Sequence, residues 1–417
     1  MREINSDVVI IGAGAAGLAA AEVTARAGRS TLVIDRDEFA GGVLMQCIHN
    51  GFGLHRFKTE LTGPEYSERL EKAARKAGAE FLLGTTVSEF TDRGDHKELI
   101  ALSPIDGVIR IKAQAILLAM GCRERNRGNI GIPGTRPAGV YTAGLAQKLL
   151  NMSGLLPGKE AVIVGSGDIG LIMARRLAWS GIPVKAVVEI RPFPSGLTRN
   201  IVQCLNDFDI PLYLSHTVSR IIGGDRVTAV EVSPLVDGIA DLSRSFTIDC
   251  DTILLSVGLI PENELSKRGG VALDPATGGA AADAWRMTNV PGVFAAGNVL
   301  HVHDLADFAS DEAVLAANHI LEYLDGARPS EQGSVSCGAN LRYVTPAKFI
   351  PGADVHFFMR SLVVEESAEL LVRLDGAEIM RKKMRHVKPP EMLAVDVPGK
   401  LTAGGGELEF ELIGGGK

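Results

Sequence analysis

Cysteine is scarce in this 417-residue chain and is never closely paired in sequence. Cys47, Cys122, Cys204, Cys250 and Cys337 include no C-x-x-C. An odd, scattered set excludes a disulfide framework and gives no ligand set for an iron–sulfur cluster. It reads as reduced thiols, so a cytoplasmic setting is expected. Aromatics make up only 5% of the chain, too few for a platform on which bases stack. Positive charge is in deficit, with 43 Lys and Arg against 50 Asp and Glu, which argues against a nucleic-acid-binding surface. No apolar run reaches the length of a membrane span. Residues 8–21 superficially resemble the apolar core of a signal peptide. Asp7 and the glycines of that stretch fit a buried strand and a phosphate loop better.

Glycine, in contrast, is plentiful, and one pattern of it occurs twice. Gly12-Ala13-Gly14-Ala15-Ala16-Gly17 follows the apolar run 8–11 and opens an Ala-rich stretch. Gly165-Ser166-Gly167-Asp168-Ile169-Gly170 follows Ala161–Val164 and opens the stretch 171–179. Each sits at a strand-to-helix turn, the context that gives this pattern meaning. The first glycine permits the tight turn, the second admits a pyrophosphate, and the third lets helix close on strand. Free N–H groups at the helix start then face the phosphates. An acid ends the next strand in each copy: Asp35 after Thr31–Ile34, and Glu189 after 184–188. A carboxylate there accepts from a ribose diol. Glu189 also repels a 2′-phosphate, which favours NAD over NADP, with Arg191 nearby moderating that preference. Two complete units imply two dinucleotides on one chain.

The surrounding chain repeats as loosely. Segments 80–120 and 212–257 both alternate like strands and both carry Ser-Pro-x-x-Asp-Gly. They end in the apolar strands 115–120 and 252–257, meeting Gly121 and Gly258. The fold class is α/β, with two Rossmann-like domains, each holding a small antiparallel insertion. Helices are expected at 18–27, 66–77 and 171–179, and from near Ser310, whose hydroxyl could cap it with Asp311 and Glu312 in its first turn. From 331 the fingerprints stop. Strand-like segments at 341–349, 355–358, 369–374, 378–387, 393–397 and 407–412 suggest a small all-β domain, with a frayed end at 414–416.

In order, Gly12-x-Gly14-x-x-Gly17, Ala119-Met120-Gly121, Gly165-x-Gly167-x-x-Gly170, Gly258-x-x-Pro261 and Thr288…Gly297-Asn298 resemble the landmarks of the glutathione-reductase-like flavoproteins. That resemblance implies FAD on the first fingerprint and NAD(H) on the second. It implies an FAD domain of 1–122 plus 258–330, interrupted by an NAD domain of 123–257, with 331–417 as the β domain. It also implies cofactor contacts from Ala15, Ala16, Arg36, Gly42, Val43, Leu44, Val87, Ala119, Gly121, Gly297 and Asn298, beside the glycines and acids already named. The family's redox cysteines would fall at Leu44 and His49, so no disulfide relay is expected. Asn298 replaces the usual aspartate. Cys47 and His49 lie where the reactive face should be and are candidate catalytic residues. His301 and His303 lack a third ligand at suitable spacing, so no metal is expected.

Gly41–Gly53 with Arg56-Phe57 and Thr62-Gly63-Pro64 narrows the resemblance to bacterial FAD-dependent subunits. These include NAD-binding chains of sarcosine oxidase, opine oxidase and hydrogen cyanide synthase, and chains that accompany a glycerol-3-phosphate dehydrogenase. The implied role is electron relay between NAD and a partner dehydrogenase subunit or small carrier, within a homo- or hetero-oligomer. Hydride exchange between the two cofactors needs no protein nucleophile. Rival readings are a self-sufficient NADH oxidase or quinone reductase, and a non-enzymatic scaffold that binds flavin and NAD. The run Arg381-Lys382-Lys383 with Arg385 and Lys388 reads as a solvated strand or a dock for an acidic partner.

Overall fold

The strand Arg2–Ile11 is exposed at its start and fully enclosed over its last four residues, Val8 to Ile11. The enclosed end lies between parallel neighbours, Thr31–Ile34 on one side and Gly107–Leu118 on the other. That placement explains the unbroken apolar run, because both faces of the strand are covered. The computed structural model describes residues 2–329 and 331–414. Its chain divides into two compact units, Met1–Cys122 with Pro261–Lys417, and Arg123–Ile260.

The first unit is built on a sheet ordered Glu80–Leu82, Thr31–Ile34, Arg2–Ile11, Gly107–Leu118, Lys97–Ser103, Thr86–Asp92, with Val293–Ala295 also against Gly107–Leu118. The long strand Gly107–Leu118 serves three partners. Its first half pairs antiparallel with Lys97–Ser103, Ile109–Leu118 run parallel to Arg2–Ile11, and its last three residues run parallel to Val293–Ala295. Helix Ala15–Arg26 packs its alanines against those of helix Ala306–Leu324 in one core, with Ala19, Ala20, Ala313 and Ala317 all buried. Small side chains let the two helices approach closely. Helix Gly63–Ala77 begins earlier than the pattern of apolar residues suggested. Thr62 and Glu65 form a reciprocal capping box ahead of it, with Pro64 in its first turn.

The second unit repeats the plan. Val140–Thr142, Thr252–Leu255, Ala161–Val164, Val184–Glu189 and Leu212–Leu214 form a parallel sheet in that order. An antiparallel sheet of His216–Gly223, Val227–Val236 and Phe246–Asp249 covers one face, and helices Ala143–Ser153 and Asp168–Trp179 cover the other.

Residues from 333 onward group with the first unit and have a core of their own. A five-stranded sheet runs Lys348–Phe349, Gly333–Cys337, Glu407–Gly414, Glu365–Leu374, Ala377–Val387, and a three-stranded sheet runs Leu341–Thr345, Val355–Ser361, Met392–Val397. The strand Gly333–Cys337 escaped the sequence reading because its serines and lone valine carry little apolar signal. Most of the expected frayed end, 415 and 416, lies outside the described residues. The basic run sits on the edge strand Ala377–Val387, with Arg381 paired to Glu369 and Glu378. Charge on an edge strand discourages pairing with another chain. No helix among the described residues is long and apolar enough to cross a membrane.

The rings of Phe357 and Phe410 meet at 4.7 Å with no exposure. Phe357→Ala leaves a cavity there and is expected to cost about 3–5 kcal/mol. Denaturant unfolding should show a transition shifted to lower midpoint; an unshifted curve contradicts this core.

Candidate functional site

The first glycine turn is shaped by backbone pressing on backbone. Gly12 has φ +109°, and a Cβ on it would lie 2.3 Å from the Ala119 carbonyl oxygen. A Cβ on Gly17 would lie 1.8 Å from the Gly12 carbonyl oxygen. Gly14 differs, with nothing within 4 Å of the added atom, so its surface stays open to an approaching phosphate. Helix Ala15–Arg26 starts from Gly14 with no side-chain cap, whereas Thr62 and Thr142 cap other helices of the chain. The first N–H groups, those of Ala15, Ala16 and Gly17, are thus left for an anion. Asp35 accepts from Ala13 N–H at 2.6 Å and from Asp37 N–H at 2.9 Å. A carboxylate has about four acceptor positions, so Asp35 retains capacity for a diol. These features fit the adenosine diphosphate half of FAD.

Other expected contacts gather around this turn. Gly41 N–H donates to Ala13 C=O at 2.8 Å, and Gly42 lies against Gly14. Leu44 is buried and Val43 exposed, while Arg36 is exposed. Thr85 N–H donates to Asp35 C=O, placing strand Thr86–Asp92 and its Val87 beside the acid. Ala119 N–H donates to Ile11 C=O, and Gly121 C=O accepts from Glu262 N–H. Cys47 and His49 follow the short 3-10 helix Gly42–Gln46. Burial pushes the Cys47 thiol up to about 12, and its sulfur donates to Val43 C=O. Such a thiol stays protonated at neutral pH and is a poor nucleophile. His49 Nδ1 meets Asn50 C=O at 3.0 Å.

The second turn repeats the first. Gly165 has φ +91°, and a Cβ there would lie 2.1 Å from Ser256 C=O. Gly170 N–H donates to Ser256 Oγ. Helix Asp168–Trp179 starts at Gly167 without a side-chain cap. Asp168 accepts from Leu197 N–H and Asn200 Nδ2, and Ile169 packs against the helix-side core. Glu189 is only 4% exposed. It accepts from Ser166 N–H, Ser166 Oγ, Ser195 Oγ and Arg191 N–H. This turn and its glycine-capped helix start fit a second dinucleotide.

A buried charge cluster underlies Gly297. Glu312 accepts from Gly297 N–H at 2.9 Å and from Arg286 Nε at 3.0 Å. His303 Nε2 lies 3.0 Å and His301 Nε2 3.5 Å from its carboxylate. Sequence reasoning missed this role. The helix expected from Ser310 begins at Ala306, uncapped by any side chain, so Glu312 lies in its buried interior rather than its first turn. Ser310 instead contacts Ala15 C=O and the Tyr66 hydroxyl. Asn298 Oδ1 accepts from His303 N–H, which holds the loop leading to that helix. Burial opposes charge on Glu312, yet attraction to His303 and His301 holds its carboxyl well below the usual range. Burial, then repulsion from His303, pushes the His301 imidazole down to about 4.

The fold thus supplies the third ligand-type group that spacing lacked, with all three candidate atoms within 4.8 Å of one another. The electrostatics do not favour a metal. Arg286 already neutralises the carboxylate, so a divalent ion would leave charge uncompensated. The Nδ1 atoms of both histidines lack the hydrogen-bond partner that usually orients a metal-bound imidazole.

Two uncapped glycine turns, each closed by an acid, define a protein built for two dinucleotides. The model of the family described as pyridine nucleotide-disulphide oxidoreductase matches residues 6–313, and the chain belongs to that family. It is an FAD-dependent NAD(P)H oxidoreductase. Thioredoxin reductase of Listeria innocua is 29% identical over 297 residues, covering 70% of this chain and 85% of the relative. Hydrogen cyanide synthase subunit HcnB of Pseudomonas aeruginosa is 26% identical over 340 residues, 76% of this chain and 70% of the relative. The crystal structure of T. acidophilum thioredoxin reductase superposes with a TM-score of 0.63 at 26% identity, over 77% of this chain and 99% of that one.

The cluster makes the fold acid-sensitive. An unfolded His takes up a proton near pH 6.5, which buried His301 refuses until about pH 4. Stability is therefore present above pH 6.5 and falls as pH drops through that window, by roughly 3 kcal/mol. Glu312 adds to the loss at still lower pH. His301→Gln should flatten the decline in melting temperature between pH 6.5 and 4; an unchanged profile contradicts the assignment.

Proposed function

We propose that this chain relays reducing equivalents between NAD(H) and a partner, as the FAD subunit of a multicomponent dehydrogenase, with no disulfide in the path. The partner acts on an amine, an imino acid or glycerol 3-phosphate, or is a small electron carrier. The observation that carries this reading is the combination of two nucleotide turns with isolated thiols. The five cysteines are scattered along the sequence with no C-x-x-C among them, and burial holds Cys47, beside the first turn, as a neutral thiol. Bound FAD and NAD(H) supply the chemistry, a two-electron hydride exchange.

The residues of the chain bind and orient. Gly12, Gly14, Gly17 and Asp35 hold the FAD pyrophosphate and ribose. Gly165, Gly167, Gly170 and Glu189 do the same for NAD(H). Helix Ala306–Leu324 presents an uncapped N-terminus, whose positive end favours negative charge on a reduced flavin. Glu189 argues for NAD rather than NADP. Membership of a larger assembly is supported by the likeness to HcnB, itself named as a subunit.

Anaerobic mixing of the flavin-loaded protein with NADH should bleach the flavin, and NADPH should do so far more slowly. Bleaching by NADPH alone overturns the Glu189 argument. Rapid turnover with oxygen or a quinone would replace the relay with a self-sufficient oxidase. Binding of NADH without bleaching would leave a scaffold. Cys47→Ser should retain NADH-driven bleaching, because no sulfur takes part; its loss contradicts the thiol-free path.

A further inference from the structure

The two turns differ in how their acids are occupied. Asp35 accepts two backbone N–H groups and keeps room for a diol. Glu189 accepts four donors. Ser166 N–H, Ser166 Oγ and Ser195 Oγ reach Oε2 at 3.0, 2.5 and 3.0 Å, and Arg191 N–H reaches Oε1 at 3.0 Å. Oε2 thus takes three donors and Oε1 one, against about two acceptor positions on each oxygen, so Oε2 is fully occupied. Two of them are hydroxyls, the same groups that a ribose diol would offer.

The second hydroxyl comes from a segment that folds back over the glycine turn. Ser195 N–H donates to Ser166 Oγ at 2.8 Å, and Leu197 N–H donates to Asp168 Oδ1 at 2.8 Å. Gly196 lies so close that a Cβ would sit 2.6 Å from Leu171 and 2.9 Å from Ser166 C=O. The segment seals Glu189, which is 4% exposed. Among the described residues no hydroxyl reaches Asp35, so the occupied acid is a property of the second turn.

We propose that the Ser195 hydroxyl is an internal mimic of the nucleotide ribose, and that the segment 191–197 is a latch which must release Glu189 before the adenosine diol can bind. This rests on the reading of Glu189 as the ribose acid. Ser195 acts through Glu189 and is a positioning residue that weakens and times nucleotide binding. Arg191, the charged residue on the same segment, is carried away from the acid when the latch opens.

Calorimetric titration of the flavin-loaded protein with NAD+ and with ADP-ribose tests the latch. Ser195→Ala should tighten both ligands by roughly threefold to tenfold, while lowering the melting temperature of the nucleotide-free protein. Ser195→Thr, which keeps the hydroxyl, should restore the wild-type affinity. Unchanged or weakened binding in Ser195→Ala overturns the latch while leaving Glu189 as the ribose acid. Failure of wild type and variant alike to bind either ligand overturns both.

Discussion

Everything in this chain depends on a place where two backbones meet with no room for a side chain. Gly12 passes under the carbonyl of Ala119, and Gly165 under that of Ser256, each with a positive φ and each so close that an added Cβ would lie 2.3 Å or less from the carbonyl oxygen. The strand that supplies the carbonyl is the parallel neighbour of the strand that leads into the turn. The contact therefore fixes the start of each helix relative to the sheet. With the helix start fixed and a glycine at its N-cap, first-turn amides are left for a phosphate, save that of Gly170, which donates to Ser256 Oγ. An anion site is thus a consequence of strand pairing rather than a separate feature.

That origin explains why the turns were readable in the sequence and other parts were not. A glycine demanded by backbone contact leaves a local, ordered pattern, so both fingerprints and both closing acids could be located from residue order. The start of helix Ala306–Leu324 could not. Its N-terminus has no Ser, Thr, Asp or Asn cap to announce it, and Ser310 offered a false one. Glu312 was misplaced with it. Its partners Arg286, Gly297, His301 and His303 come together only when the helix packs, and spacing along the chain carries no trace of that. Glu189 could be recognised as the acid that ends its strand, but its occupancy by Ser166 and Ser195 is a property of the folded loop.

The C-terminal sheets take on meaning through the same buried cluster. Arg360 donates to Val302 C=O and pairs with Asp304, whose other oxygen accepts from Met392 N–H. Phe358 packs against the rings of His301 and His303. The β region therefore clamps the segment that joins Gly297-Asn298 to the uncapped helix. Glu312 links that segment to Arg286 and to the Gly297 amide. A buried carboxylate shared in this way is strongly favoured only while all of its donors remain in place, so the β region helps to hold the geometry of that segment.

The proposed relay holds two electrons on this chain and no more, because the sequence carries no closely spaced cysteine pair to store a second two. Anaerobic titration of the flavin-loaded protein with NADH measures this directly. The account predicts complete bleaching after one equivalent of NADH per flavin. A requirement for two equivalents, with a thiol pair appearing as the second is consumed, would contradict it.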